Sequence, residues 1–484
     1  VDVVVIGGGN TGITAAYLLK KAGCSVALIE RDRFAAADTA HTSAHLTYVT
    51  DLRVRTLLET FGRDSAGAVW DAGLAAIRQI EHNIQAEQID CDFARVPGYL
   101  YASLHGAEDE TSQLREEAGL ACELGFPAAF VDAVPVFSRP GVCFPDQAQI
   151  HPLKYLAGLL DCIPGGGCHA FELTEAGEFT PDVMQITANG HALSCGFVVM
   201  ATDVPLTGRT HILNAALLQS KLTAYTSYVI GAQLPKDSAP DALLWDTSDP
   251  YFYLRRERQG HHDHVIFGGA DHKTGQDDSA RRFRELEALL RRYLPHIRVE
   301  HRWSGQVIES VDGLPFIGET AERQFVATGF SGNGLTFGTL AAMMACDAAC
   351  GKRNPWQDLF SVHRSRLSSA WNYVRENADY PYYLIKDRLS SIEDTSTRSV
   401  KRGQGRVLNV NGRPVAAFRD NEGRLSMHSA CCTHLGCLVR WNDVESTWDC
   451  PCHGSRFRAT GEVLAGPAET PLESVELTTG PRRG

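Results

Sequence analysis

Four residues toward the end of the chain have the types and spacing of a metal centre. Cys432-Thr433-His434 is followed by Cys450-Pro451-Cys452-His453, so each half offers one thiol and one imidazole. Two Cys and two His suit tetrahedral zinc. They equally suit a [2Fe–2S] cluster with two thiolates on one iron and two imidazoles on the other. Three features favour iron–sulfur: the even split of one Cys and one His per half, a further Cys in each half (Cys437 and Cys452), and a turn and proline loop at Gly461 and Gly466-Pro467-Ala468. Zinc stands as the alternative.

A second concentration of chemistry lies at the other end, in Gly7-Gly8-Gly9-Asn10-Thr11-Gly12. The apolar run Val1–Ile6 predicts a buried parallel strand before it, Ile13–Ala22 a helix after it, and Ser25–Ile29 a second strand ending at Glu30, 23 positions beyond Gly7. Strand, G-x-G-x-x-G, helix, strand, acid is the pattern of a dinucleotide site. Gly7 permits the tight turn, Gly9 the approach of a pyrophosphate, and Gly12 the packing of helix on sheet. The helix start offers Asn10 and Thr11 and free N–H groups to the phosphates. Glu30, with Arg31 beside it, is placed for the ribose hydroxyls. Two later segments favour FAD. Phe197–Thr202 reads as a buried strand whose end, Ala201-Thr202, admits a ligand closely. Gly329-Phe330-Ser331-Gly332-Asn333-Gly334-Leu335-Thr336 reads as a second glycine-rich turn, opening a helix over about Phe337–Cys350, with its positive end toward the flavin.

The chain that must position these groups has 484 residues, enough for roughly three domains. Hydrophobic residues at 44% and charged residues at 21% exclude a disordered, collagen-like or coiled-coil chain. No apolar run reaches the ~18 residues of a membrane span. The net charge of −12, from 46 Lys and Arg against 58 Asp and Glu, argues against nucleic-acid or anionic-membrane partners. Of 14 Cys, nine are scattered before residue 351 and five fall within Cys431–Cys452. Many unpaired thiols fit a reducing compartment, and a cytoplasmic location is expected. The chain opens directly into a strand, so any leader is expected to have been trimmed and targeting is not read. Cys346-x-x-x-Cys350 is expected to pack on its helix or face solvent, not to hold a cluster.

Over roughly Val1–Trp371 the sequence resembles the D-amino-acid-oxidase-like FAD oxidoreductases, the class of glycine and sarcosine oxidases. The resemblance is carried by the G-x-G-x-x-G, the Thr39–Thr47 loop, Asp312-Gly313-Leu314-Pro315-Phe316-Ile317-Gly318, and Ala327–Gly334. It implies an α/β FAD-binding Rossmann-type domain from 1–75, 145–205 and 301–375, interleaved with an α+β substrate domain from 76–144 and 206–300. It also implies cofactor contacts in the loop Thr42, Ser43, Ala44 and His45. Thr42 aligns where some relatives carry a flavin-linking His, so the FAD is expected to be non-covalent. After Trp303-Ser304-Gly305, Val307 stands where relatives carry an Arg that clamps the substrate carboxylate, which weakens the expectation of a simple amino-acid substrate. Tyr251–Arg256 and His264–Gly269 read as a hairpin, with His261–His264 as its solvated loop and not a metal site. Tyr253, Arg255 and His272 are candidate substrate contacts by placement; no catalytic base is named.

From about Gly403 to Leu477 the sequence resembles Rieske domains, particularly the disulfide-bearing type of cytochrome bc complexes. That resemblance implies cluster ligands Cys432, His434, Cys450 and His453, a Cys437–Cys452 disulfide, a hydrogen bond from Ser455 to a bridging sulfur, and an all-β C-terminal domain over 403–484. High-potential members carry a Tyr where this chain has Phe457. Arg406–Val410, Asn411-Gly412 and Arg413–Arg419 read as a hairpin, and 376–402 as a linker. The expected function is an FAD-dependent dehydrogenase. A small amine or amino-acid-like substrate would give a hydride to the flavin, and electrons would pass singly through the cluster to an external one-electron carrier. Two alternatives stand beside it. In one, a ferredoxin-like partner feeds the cluster and flavin for substrate reduction or oxygenation; in the other, the chain is an electron-transfer subunit with no organic substrate.

Overall fold

The computed structural model describes residues 1–106, 109–204, 218–364 and 396–475. Most of the expected linker, 376–395, lies outside them, as do 205–217 and 476–484.

Val3–Ile6 is buried at all four positions and forms a parallel strand, with Val3 in register with Phe197 on one side and Val26 on the other. A continuous apolar run is what a strand covered on both faces requires. The six-stranded sheet runs Phe316–Ala321, Gln324–Thr328, Phe197–Met200, Val3–Ile6, Val26–Ile29, His169–Phe171. Helix Asn10–Lys21 starts four residues after the first strand ends, and helix Gly334–Ala349 packs on it. Their approach requires Gly338, because a Cβ there would stand 2.7 Å from both Asn10 Nδ2 and Thr11 Oγ1.

A larger sheet of nine strands includes the long strands Leu222–Pro235, His262–Lys273 and Arg298–Ser310. Val3, Val5 and Leu28 of the first sheet share one core with Leu100, Phe144 and Ala148 of the second. Single elements serve both layers, so the expected division at 75–76 falls inside helix Arg63–Glu87. Those at 144–145 and 300–301 fall inside strands Gly141–Gln149 and Arg298–Ser310.

One expectation needs correction. The hairpin is present, as Tyr253–Gln259 against His262–Lys273, but its turn is Gly260-His261, and Asp263 is a buried strand residue. Arg256, opposite Val265, reaches diagonally to Asp263 with Nη1 to Oδ2 at 3.0 Å. The charge pair lets two polar side chains leave water. His264 meets Glu300 at 2.9 Å.

The chain divides into two compact units. One comprises Val1–Leu222, Ser227–Asp271 and Phe283–Ser369; the other comprises Thr223–Thr226, His272–Arg282 and Ala370–Gly484. In the second unit Gln404–Val410, Arg413–Arg419 and Leu425–Ser429 form an antiparallel sheet, and Arg440–Asn442, Thr447–Asp449, Arg456–Arg458 and Val463–Ala465 form another. Asn411 and Gly412 both have positive φ, 53° and 81°, as the two-residue hairpin turn requires. No helix among the described residues is long and apolar enough to cross a membrane.

Candidate flavin site and cluster centre

The glycine turn is built around absent side chains. A Cβ on Gly7 would lie 2.3 Å from Ala201 O, one on Gly12 1.8 Å from Gly7 O, and one on Gly9 3.1 Å from Thr39 Oγ1. Glu30 closes the turn from behind: Oε2 accepts from Gly8 N at 2.7 Å and Oε1 from Asp32 N at 2.7 Å. Arg31 is exposed beside it.

Across the chain, Gly329-Phe330-Ser331-Gly332-Asn333-Gly334 brings a second helix start to the first. Asn10 Nδ2 donates to Leu335 O at 3.1 Å, and Thr336 Oγ1 to Thr47 O at 3.0 Å. Asn333 Nδ2 donates to Val49 O at 3.2 Å. Two helix N-termini therefore converge beside a turn stripped of side chains, and Asn10 Oδ1 is buried there with no protein partner. These residues fit a dinucleotide with its anionic groups at the helix starts. In the Thr39–Thr47 loop, Thr42 Oγ1 accepts from Ala44 N and Ser43 Oγ bonds His45 Nδ1 at 3.1 Å; Ala44 takes φ 55°. His45 Nε2 has no protein partner. Burial, then the nearby Arg255, pushes the His45 pKa down to about 3, so the ring is neutral. Thr202 Oγ1 donates to Val204 O at 3.0 Å at the end of the Phe197–Met200 strand.

Next to Gly332 stands a group that sequence reasoning missed. Asp51 Oδ2 accepts from Gly332 N at 2.7 Å, and the Tyr251 hydroxyl also bonds Asp51. A Cβ on Gly332 would be 2.1 Å from the Tyr251 hydroxyl and 3.0 Å from Asp51 Oδ1, so glycine admits both. Tyr251 lies 6.0 Å ring to ring from Tyr253, and Tyr253 5.5 Å from His45. Asp51 is exposed to water, yet the protein packed around its carboxyl raises the pKa above the ordinary aspartate value. Burial first, and then the negative charges of Asp51, Asp271 and Glu309, raise the pKa of the Tyr251 hydroxyl. Arg255 is 3% exposed and pairs with Glu257 through Nη2. His272 belongs to the second unit, where Nδ1 lies 2.7 Å from Lys273 O. Tyr253 thus stands beside Tyr251 and His45.

In the resemblance block Asp312–Gly318, Asp312 binds Arg364 through Nε at 2.8 Å and Nη2 at 2.7 Å, both side chains buried. Gly313 has φ 76°, and a Cβ there would strike Leu52 at 2.5 Å. That block braces the loop carrying Asp51.

In the second unit the two ligand loops face one another. Cys432 and Cys450 are buried, and the rings of His434 and His453 are 5.0 Å apart and perpendicular. Cys437 and Cys452 are joined as a disulfide across 15 residues. The Cys432 thiol is brought down to about 7, first by its hydrogen bond with Cys450, and further by backbone N–H groups of His434 and Leu435 and by Ser455. Backbone N–H groups of Cys452 and His453 serve Cys450 in the same way. Paired thiols ringed by N–H donors and faced by two imidazoles fit a [2Fe–2S] cluster. Ser455 Oγ also accepts from Ala468 N at 3.0 Å, tying the proline loop to the ligand loop.

Phe457 is fully buried in the same apolar cluster as both ligand cysteines. Phe457→Tyr adds a hydroxyl donor inside the apolar cluster that holds both ligand cysteines. The cluster's midpoint is expected to rise by about 1 kcal/mol, roughly 40 mV for one electron. A redox titration showing no rise would remove this argument.

A flavin-binding α/β domain interleaved with a large sheet, followed by an all-β cluster module, defines a flavin and iron–sulfur oxidoreductase. The chain matches the family model "FAD dependent oxidoreductase" over residues 2–348 and "Rieske [2Fe-2S] domain" over 391–476. It belongs to the FAD dependent oxidoreductase family and carries a Rieske [2Fe-2S] domain. It is similar to the putative Rieske 2Fe-2S iron-sulfur protein YhfW of Bacillus subtilis, 34% identical over 98% of this chain and 93% of the relative. Gamma-glutamylputrescine oxidoreductase of Escherichia coli is 23% identical over 72% of this chain and 84% of its own length. Among solved structures, glycine oxidase from Geobacillus kaustophilus superposes with a TM-score of 0.63 at 18% identity, covering 75% of this chain and 99% of that one.

Proposed function

We propose that the chain is a dehydrogenase of small cationic amines that hands electrons singly, through its own cluster, to an external one-electron carrier. FAD, when bound, supplies the two-electron acceptor for the carbon–nitrogen bond, and the cluster a one-electron carrier.

The observation that carries the substrate class is the Asp51–Tyr251–Gly332 group. Asp51, Asp271 and Glu309 bring negative charge to it, the tyrosines at 251 and 253 stand beside it, and the near guanidinium, Arg255, pairs through Nη2 with Glu257. An ammonium is held well by a carboxylate with aromatic faces beside it, whereas a free carboxylate would meet repulsion. The similarity to a gamma-glutamylputrescine oxidoreductase points the same way. Asp51 then has a second task. A protonated amine has no lone pair to assist loss of hydride, so a proton must leave the nitrogen first. Asp51 Oδ1 accepts it, and the burial that raises this carboxyl's pKa makes it the better base. Gly332 N–H holds the carboxylate through Oδ2, and the Tyr251 hydroxyl bonds the same carboxylate.

Anaerobic mixing with a panel of primary and secondary amines and of amino acids tests this, following loss of oxidised-flavin absorbance. Amines are expected to bleach the flavin and simple amino acids to fail. Asp51→Asn is expected to slow bleaching by about 10²–10⁴-fold. The acid limb of the parent's rate profile, moved up from that of an ordinary aspartate by the raised Asp51 pKa, should disappear with it. Bleaching by a reduced ferredoxin and by none of the amines would overturn the proposal and reverse the electron flow.

A further inference from the structure

The second unit contains, besides the cluster module, the short segment His272–Arg282 that follows strand His262–Lys273. It lies outside the stretch that matches the Rieske model, 391–476, yet it touches the ligand loop. Gly275 has φ 78°, and a Cβ on it would stand 2.9 Å from Pro451 N, 3.1 Å from Asp449 O and 3.1 Å from Cys450 C. Backbone meets backbone here, which only glycine permits. Arg440 Nη1 lies 3.5 Å from Gly275 O, and Gln276 Nε2 donates to Pro451 O at 3.0 Å.

The acceptor of that last bond is half of a peptide group. Its other half is the N–H of Cys452, and that N–H donates to the sulfur of the ligand Cys450. The three groups form one chain: Gln276 side-chain amide to Pro451 C=O, through the peptide to Cys452 N–H, and on to the Cys450 sulfur. Hydrogen bonds in series polarise one another, by about 10–30% per bond. Donation to a cluster sulfur stabilises the more negative, reduced state and raises the potential.

We propose that Gln276 is a positioning and tuning residue for the iron–sulfur cluster, acting through the Pro451–Cys452 peptide, with Gly275 as the contact that lets it reach. The flavoprotein portion of the sequence thereby contributes to the cluster's reduction potential without supplying a ligand. The same relay works in reverse: a change in charge on the cluster alters the strength of the Gln276 bond, so the His272–Arg282 turn is held more firmly against the reduced cluster than against the oxidised one.

A redox titration of the full-length protein, read by the cluster's electron paramagnetic resonance and visible circular dichroism, tests the proposal. Gln276→Leu removes the donor and is expected to shift the reduction equilibrium roughly twofold to fourfold toward the oxidised state. At about 59 mV per tenfold for one electron, that is a fall of about 20–35 mV. Gly275→Ala, which displaces the turn without altering the donor, is expected to lower the midpoint as well. Gln276→Lys restores a donor and is expected to titrate at or above the parent, an outcome that loss of packing alone would not give. Iron content per chain establishes that each variant is loaded. Parent-like midpoints in both Gln276→Leu and Gly275→Ala overturn the proposal, as does a fall of equal size in Gln276→Lys. If Gln276→Leu fails to take up iron, the comparison of Gly275→Ala with Gln276→Lys decides in the same terms.

Discussion

Arg456→Met is expected to empty the cluster site. Arg456 follows Ser455 and Asp449 precedes Cys450, so the two stand at the neck of the second ligand loop, directly opposite in register. Both are buried, at 5% and 3% exposure, with Arg456 Nε 3.2 Å from Asp449 Oδ1. Thr447 Oγ1 at 2.8 Å and Asn442 Nδ2 at 3.1 Å complete the carboxylate's partners. Removing the guanidinium leaves a carboxylate in the interior with only neutral donors. Breaking a buried pair from one side costs about 3–5 kcal/mol, a large share of a small module's stability. Ligand geometry is lost with the fold, because cluster binding and folding are coupled. Iron per chain and the denaturant midpoint of the module read the effect. The double variant Asp449→Leu with Arg456→Met is expected to recover much of the loss, since it leaves no orphan charge. A single variant that keeps both its iron and its denaturant midpoint would refute this account of the neck.

Gly12→Ala is expected to weaken flavin binding. The added Cβ would sit 1.8 Å from Gly7 O and 3.0 Å from Gly7 C, and neither belongs to a side chain that can swing away. The turn must open, and overpacking of about 1–3 kcal/mol falls on the conformation that receives the phosphates. Affinity for FAD should weaken roughly fivefold to 150-fold. The ratio of flavin to protein after gel filtration measures it. Gly119→Ala, on a helix with nothing within 4 Å of the new Cβ, is the control and should keep the parent's flavin. Equal flavin in the two variants would mean that the turn does not hold the cofactor.

What could be read beforehand was what is local. The glycine turn, its helix and Glu30 lie within 30 residues, and their roles follow from backbone geometry alone. The cluster ligands occupy two short stretches whose residue types admit few chemistries. Asp51 is different: it meets Gly332 281 residues away, and nothing near Asp51 in sequence marks it, because Tyr251 arrives from a third segment. Gln276 likewise finds Pro451 175 residues on. His261–His264 misled for another reason. Polarity suggested solvent, but Arg256 on the facing strand supplies the partner that buries Asp263. Charge pairing across strands is invisible until the register is known.

The bond from Asn10 to Leu335 spans 325 residues. On a ribosome adding about 5–20 residues per second, the first glycine turn emerges roughly 16–65 s before the helix that closes over it. Strand Val3–Ile6 likewise waits for Phe197–Met200, and that strand for Gln324–Thr328. The nascent chain therefore exposes an edge of a parallel sheet for tens of seconds, with its cofactor cleft lacking one wall. Flavin can be held between both helix starts only once Gly334–Ala349 has been made, late in synthesis.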